Sequence, residues 1–172
     1  GKVGIGTSSP SRNLTVSSSG QTDLAIIAAS GSSAQLCFGD GDDDNVGQIE
    51  YSHPTDSMRF YTQGAERMRI DSSGKVMIGT TTEGQGQADN FTVSDSGNMG
   101  MTLRSTDSNE CSIFFSDATS GAGEYAGSVQ YSHSTDALFF GSAGTERMRI
   151  DSSGNLLVGK TSTSSSVRGV RF

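Results

Sequence analysis

The nonapeptide Glu-Arg-Met-Arg-Ile-Asp-Ser-Ser-Gly occupies residues 66–74 and recurs unchanged at residues 146–154, 80 positions later. Repetition of this kind constrains the fold more than any composition value, because each copy must form the same local structure and bury its apolar side in the same way. The match extends well beyond nine residues. Tyr51-Ser52-His53 returns as Tyr131-Ser132-His133, each followed by a Thr-Asp pair, and Phe38-Gly39-Asp40 answers to Phe115-Ser116-Asp117. Asn13-Leu14-Thr15-Val16 answers to Asn90-Phe91-Thr92-Val93. The opening Gly1-Lys2-Val3-Gly4-Ile5-Gly6-Thr7 returns at Gly74 and again, more loosely, at Gly154. The offset changes along the chain, which places short insertions near residues 83–87 and 119–123, as expected of surface loops between fixed strands. The reading is two complete repeats, 1–73 and 74–153, and the start of a third over 154–172. Because Gly1 lies inside the repeated motif and Phe172 comes soon after a third copy begins, the expectation is a segment of a longer chain.

Within the nonapeptide, Arg67-Met68-Arg69-Ile70 alternates cationic and apolar residues. That period of two sets Met68 and Ile70 on one face of a strand and both arginines on the other. Asp71-Ser72-Ser73-Gly74 reads as a turn, with Asp accepting backbone hydrogen bonds and Gly free to take positive φ. Val76 and Ile78 then alternate with Lys75 and Met77, so the expected unit is strand, tight reversal, strand, with the inward positions apolar. Further short strands are expected at 14–16, 24–29, 35–38, 46–51 and 57–61, separated by Gly, Ser, Asp or Asn. No window carries a helical period with caps. The fold class is all-β, built of short strands at repeat spacing.

Leu, Ile, Val and Phe together fall just below the roughly 20% under which chains tend to disorder, yet the apolar residues keep a period-2 order that a disordered chain does not need. With so thin an apolar supply, repetition or oligomerisation is the usual source of enough burial. The net charge of −7 and pI near 4.6 argue against a nucleic-acid surface, which needs clustered Lys and Arg. No apolar run is long enough to insert in a membrane. Cys37 aligns with Phe114, and Cys111 with Ala34, so a disulfide framework repeated between units is not expected. Two buried free thiols in a reducing cytoplasm are.

The pattern R-M-R-I-D-x-x-G-x-V-x-I-G-T, together with the opening Lys-Val-Gly-Ile-Gly-Thr before Ser8-Ser9-Pro10, resembles the shaft repeats of bacteriophage tail fibres, in particular those of marine phages. The resemblance covers both complete repeats. It implies a parallel homotrimer, with three chains wound into an intertwined β-helix or β-prism fibre. It also implies a virion location after assembly in the host cytoplasm, contact with other phage tail proteins, and attachment to a glycan or protein receptor on the host surface. Two other classes stay open, a glycan-cleaving tailspike fragment and the stalk of a bacterial trimeric adhesin.

Four groups of residues are candidates for chemistry. Asp40, Asp42 and Asp44 have the alternate spacing of a calcium loop, but Asn45 stands where such a loop needs Gly and Glu50 falls one residue early. A solvated acidic turn is the expectation. His53 and His133 are equivalent and in a trimer could form rings of three imidazoles around the axis; polar strand ends are favoured over a metal or anion site. Glu66 with Arg67 and Arg69, and Glu146 with Arg147 and Arg149, could pair across chains or hold an acidic sugar, and their recurrence favours a structural role. Asn13 and Asn90 fit the glycosylation pattern but read as turn residues leading into strands. No G-x-S-x-G motif or Ser/His/Asp set is present, and the acids lie mostly in turns. The expectation is therefore no enzyme, no catalytic residue, no cofactor and no metal site.

Overall fold

In the computed structural model, which describes residues 1–164 and 170–171, the repeated nonapeptide folds as strand, turn and strand. The Asp71 carbonyl accepts from the Gly74 N–H at 3.0 Å, and Asp71 Oδ1 accepts from the N–H groups of Ser73 and Lys75, both at 2.9 Å. Gly74 sits at φ 81°, where a β-carbon would be strained. Asp151 and Gly154, at φ 79°, repeat the arrangement.

The chain forms two compact units, Gly1–Met99 and Gly100–Phe172. In the first, β1 (Val3–Ile5) and β2 (Leu14–Val16) make a two-stranded parallel sheet. A six-stranded sheet comes next, in chain order: β3 (Ser33–Phe38), β4 (Gly47–Ser52), β5 (Ser57–Thr62), β6 (Ala65–Ile70), β7 (Val76–Ile78) and β8 (Phe91–Val93). All neighbours are antiparallel except β7 and β8. The second unit repeats this with β9 (Glu110–Phe115), β10 (Gly127–Ser132), β11 (Ala137–Ser142), β12 (Thr145–Ile150), β13 (Leu156–Val158) and β14 (Val170–Arg171), all antiparallel. A 3-10 turn at Gly121–Tyr125 precedes β10. Among the described residues no sheet closes on itself and no α-helix occurs, so the molecule is all-β.

Register tracks the repeat alignment residue by residue. Ala34 lies opposite Tyr51 as Cys111 lies opposite Tyr131, and Cys37 opposite Gln48 as Phe114 lies opposite Ser128. Sequence period and sheets are out of phase, however. β7 and β8 open the second sequence repeat but complete the sheet that β3 began, because β7 continues directly from the Asp71–Gly74 turn.

Two local devices go beyond the sequence pattern. The β5–β6 connection is a two-residue turn with Gln63 at φ 52° and Gly64 at φ 68°; Ala143 at 53° and Gly144 at 66° repeat it. Two successive positive φ values match the right-handed twist of the flanking strands, and Gly at the second position lowers the strain. The second device is a β-bulge. Met68 faces Phe60, but Glu66 faces Tyr61, so Arg67 is the extra residue; the bulge recurs with Arg147 between Met148 and Glu146. The expected alternation therefore holds for Met68, Arg69 and Ile70 and breaks at Arg67.

One expected strand is absent. Residues 24–29 are apolar enough for a strand but pair with no described strand, and Ile27 is 89% exposed. Their composition suits a strand, but a strand needs a partner ladder, and β3 pairs on one side alone, with β4. The remaining strands fall within two residues of their expected positions.

Candidate functional site

Cross-strand register sorts each sheet into two faces. On one face of the first sheet, Leu36, Ile49, Phe60, Met68 and Ile78 form one row, and Ala34, Tyr51, Met58, Ile70 and Val76 the next. On the other face, Gln35, Glu50, Arg59, Arg69 and Met77 lie side by side. In the second unit the apolar rows are Ile113, Val129, Phe140, Met148 and Val158, then Cys111, Tyr131, Leu138, Ile150 and Leu156.

Burial runs opposite to the expectation that Val76 and Ile78 point inward. The most buried large apolar residues are Met77, 2% exposed, and Leu157, 0%, and both lie on the arginine-bearing face. Ile70 on the apolar face is 37% exposed and Ile150 is 40%. The reason is the reach of the polar side chains. Long Arg and Glu stems lie over their own face and cover it, whereas short branched apolar side chains cannot cover theirs.

The bulge makes that cover. By displacing Arg67 it brings Glu66 onto the face of Arg69, and the two join in a fork: Arg69 Nε donates to Glu66 Oε1 at 2.5 Å and Nη2 to Oε2 at 2.7 Å. Arg149 and Glu146 repeat it at 2.6 and 2.5 Å. This bond to the carboxylate, outweighing burial, raises the arginine pKa in each copy. In the first unit the network continues: Arg59 Nη1 lies 3.4 Å from Glu50 Oε1, and Gln35 Nε2 donates to Glu50 Oε2 at 2.5 Å. These pairs close within one chain. Arg67 donates from Nε to Thr62 Oγ1 at 3.1 Å, and Arg147 to the Ser142 carbonyl at 3.1 Å.

The aspartate loop is a hydrogen-bonded turn. Asp40 Oδ1 accepts from the N–H groups of Asp42 at 2.9 Å and Asp43 at 3.0 Å, which hold its pKa below the usual carboxylate value. Glu50 is engaged elsewhere, with Gln35 and Arg59. Among the described residues, no three His, Cys, Asp or Glu side chains gather as metal ligands. His53 packs edge-on to Tyr51 with ring centroids 5.1 Å apart, and its buried Nε2 has no hydrogen-bond partner. His133 packs likewise on Tyr131 at 5.0 Å, and its Nε2 lies 3.8 Å from Cys111 Sγ. The expectation of two buried thiols is corrected: Cys37 is exposed and Cys111 half-buried. Cys37 lies near the end of β3, an edge strand with a neighbouring strand on one side alone.

An ion cluster outside the nonapeptide comes from the first insertion. Lys75 Nζ lies 2.7 Å from both Asp89 Oδ2 and Glu83 Oε2. Hydrogen bonds to Asp89, then Glu83, raise the Lys75 pKa, and the bond from Lys75 lowers that of Asp89. Asp151 is lowered by its bonds from the Asn155 side chain and backbone. For carboxylates held low in the native state, the unfolded chain binds protons first as the pH falls. The stability they contribute is complete above the ordinary carboxylate range near about 4 and is lost as pH drops through it towards the lower native values. The thermal midpoint should therefore fall below about pH 4, and Asp89→Asn should lower it at pH 7 while flattening that acid dependence. A parallel displacement at every pH would refute the role of Asp89.

These features define a repeat protein whose two six-stranded sheets are open, each with a polar face covered by its own side chains and a half-buried apolar face. No protein-family model matches the chain, and no curated protein matches it in sequence.

Proposed function

We propose that this chain is a structural and adhesive segment of a trimeric bacteriophage tail fibre, acting in host attachment through assembly and binding rather than catalysis. One observation carries the reading: both units leave the same apolar rows only half-buried, with isoleucines at equivalent positions, Ile70 and Ile150, exposed. A contiguous apolar face of this kind calls for a partner. Threefold association of parallel chains, as an intertwined β-helix or β-prism, lets each face meet the same face of two copies, and repetition lengthens the shaft without a new design. The apolar, unpaired segment at residues 24–29 is available as a strand to a neighbouring copy. The self-covered polar face would then look outward, which suits attachment through tail proteins, a host glycan or a protein receptor.

Light scattering tests the assembly. The purified chain is expected at three times 17.9 kDa, and a folded monomer would overturn the reading. Steady release of reducing ends from host polysaccharide would replace it with the tailspike alternative.

A further inference from the structure

The polar face of the second unit departs from that of the first at several positions, and the departures on β10 and β11 lie side by side. Three substitutions converge there: Gln130 stands where the first unit has Glu50, Phe139 where it has Arg59, and Gly141 where it has Tyr61. In the first unit those side chains engage one another, with Arg59 Nη1 3.4 Å from Glu50 Oε1 and 3.5 Å from the Tyr61 hydroxyl. In the second, the loss of the tyrosine ring leaves a cleft of about 420 Å³. The insertion near residues 119–123 adds a wall, because the 3-10 turn carries Tyr125 against the hairpin tip. A β-carbon on Gly144 would lie 3.4 Å from the Tyr125 ring, and the Gly144 N–H donates to the Ala126 carbonyl at 3.2 Å. One change clears the space and an independent one encloses it.

The lining selects a ligand class. Ser128, Gln130 and Glu110 face the cleft, and among the described residues their side chains make no hydrogen bond. They offer a hydroxyl, an amide and a carboxylate beside two aromatic rings, a mixture of apolar surface and few polar groups usual in small-molecule sites of roughly 300–1,000 Å³. A cation is disfavoured because the Arg149 guanidinium already lies over Phe139, 4.5 Å from its centroid. An anion is disfavoured too, since Arg149 is neutralised by Glu146 and the Glu110 carboxylate remains. A neutral, hydroxyl-rich ring with an apolar face fits this lining.

We propose that this cleft binds an uncharged pyranose unit. The proposal deepens the attachment reading and rests on it for the sugar's role, while every lining residue belongs to one chain. The test uses the whole chain with methyl glucoside, methyl galactoside and methyl N-acetylglucosaminide as probes, glucuronate as the charged comparison, and titration calorimetry with saturation-transfer NMR as readouts. At least one neutral glycoside is expected to bind, with glucuronate at least about tenfold weaker. Gly141→Tyr, which restores the residue of the first unit, should weaken binding by about tenfold or more while strand circular dichroism persists. If that variant does not fold, Tyr125→Ala should give a loss of similar size. Absence of binding by all three glycosides, equal binding of glucuronate, or unchanged binding in a folded variant would each overturn the site. Light scattering on the same samples separates the two readings: a trimer that binds no sugar removes the site alone, and a monomer that binds sugar removes the fibre alone.

Discussion

The chain carrying Ile70→Asp is expected not to form the proposed trimer and to elute as a single chain, and Ile150→Asp is expected to do the same. In the proposed trimer, threefold symmetry would turn one substitution into three carboxylates in an apolar layer, a penalty of several kcal/mol before their mutual repulsion. The penalty belongs to assembly more than to folding, since Ile70 is already 37% exposed in one chain. Arg69→Ala is expected to leave the proposed trimer intact while costing each chain roughly 1.5–3 kcal/mol, the usual span for hydrogen bonds to a charged group, since it removes the fork to Glu66. Sedimentation velocity of the three variants against the parent decides it. A trimer that survives Ile70→Asp would mean that the apolar face is not the interface, and greater damage from the arginine would mean that the polar face is.

Leu157→Ala should act on the opposite side and through a different quantity. Leu157 is fully buried on the face of the Arg149–Glu146 fork, so truncation removes packing that no association supplies. A loss of about 3 kcal/mol is expected, within the usual span for a buried leucine in which the surroundings only partly collapse. Met77→Ala should cost a similar amount in the first unit. Denaturant midpoints show the difference from the isoleucine variants: for Leu157→Ala the loss should be the same at low and high protein concentration. A loss that disappeared at high concentration would place Leu157 at the interface instead.

Much of the fold was legible because the repeat wrote it twice. Strand, Asp-Ser-Ser-Gly turn and second strand came from alternation and from the demands of one positive-φ glycine. Two things were hidden. Alternation says that a strand has two faces without saying which face its own chain covers, and the reach of Arg and Glu side chains reversed the simple answer for Met77 and Ile78. The bulge was hidden because Glu-Arg-Met-Arg-Ile reads as an unbroken period of two, and only the pairing of Glu66 with Tyr61 exposes the extra residue. The cleft left a trace that could have been found, the alignment of Gly141 with Tyr61 and of Phe139 with Arg59 in the two repeats. Its wall could not be inferred, since the insertion's path is set by packing against the hairpin tip.

The offset between sequence period and sheet bears on how such a chain can change length. Each copy of the nonapeptide straddles the same junction inside a sheet: it carries most of one strand, its bulge, and the turn into the next. Excising residues 66–145, one copy and the stretch up to the next, would join residue 65 to residue 146 and leave Glu-Arg-Met-Arg-Ile-Asp-Ser-Ser-Gly intact at the seam. β6 would then run into the present β13 through an unaltered Asp–Gly turn, and no backbone bond or bulge at the junction would be new. Loss or gain of one whole module at this seam would leave the strand, bulge and turn at the junction as they stand in both present copies.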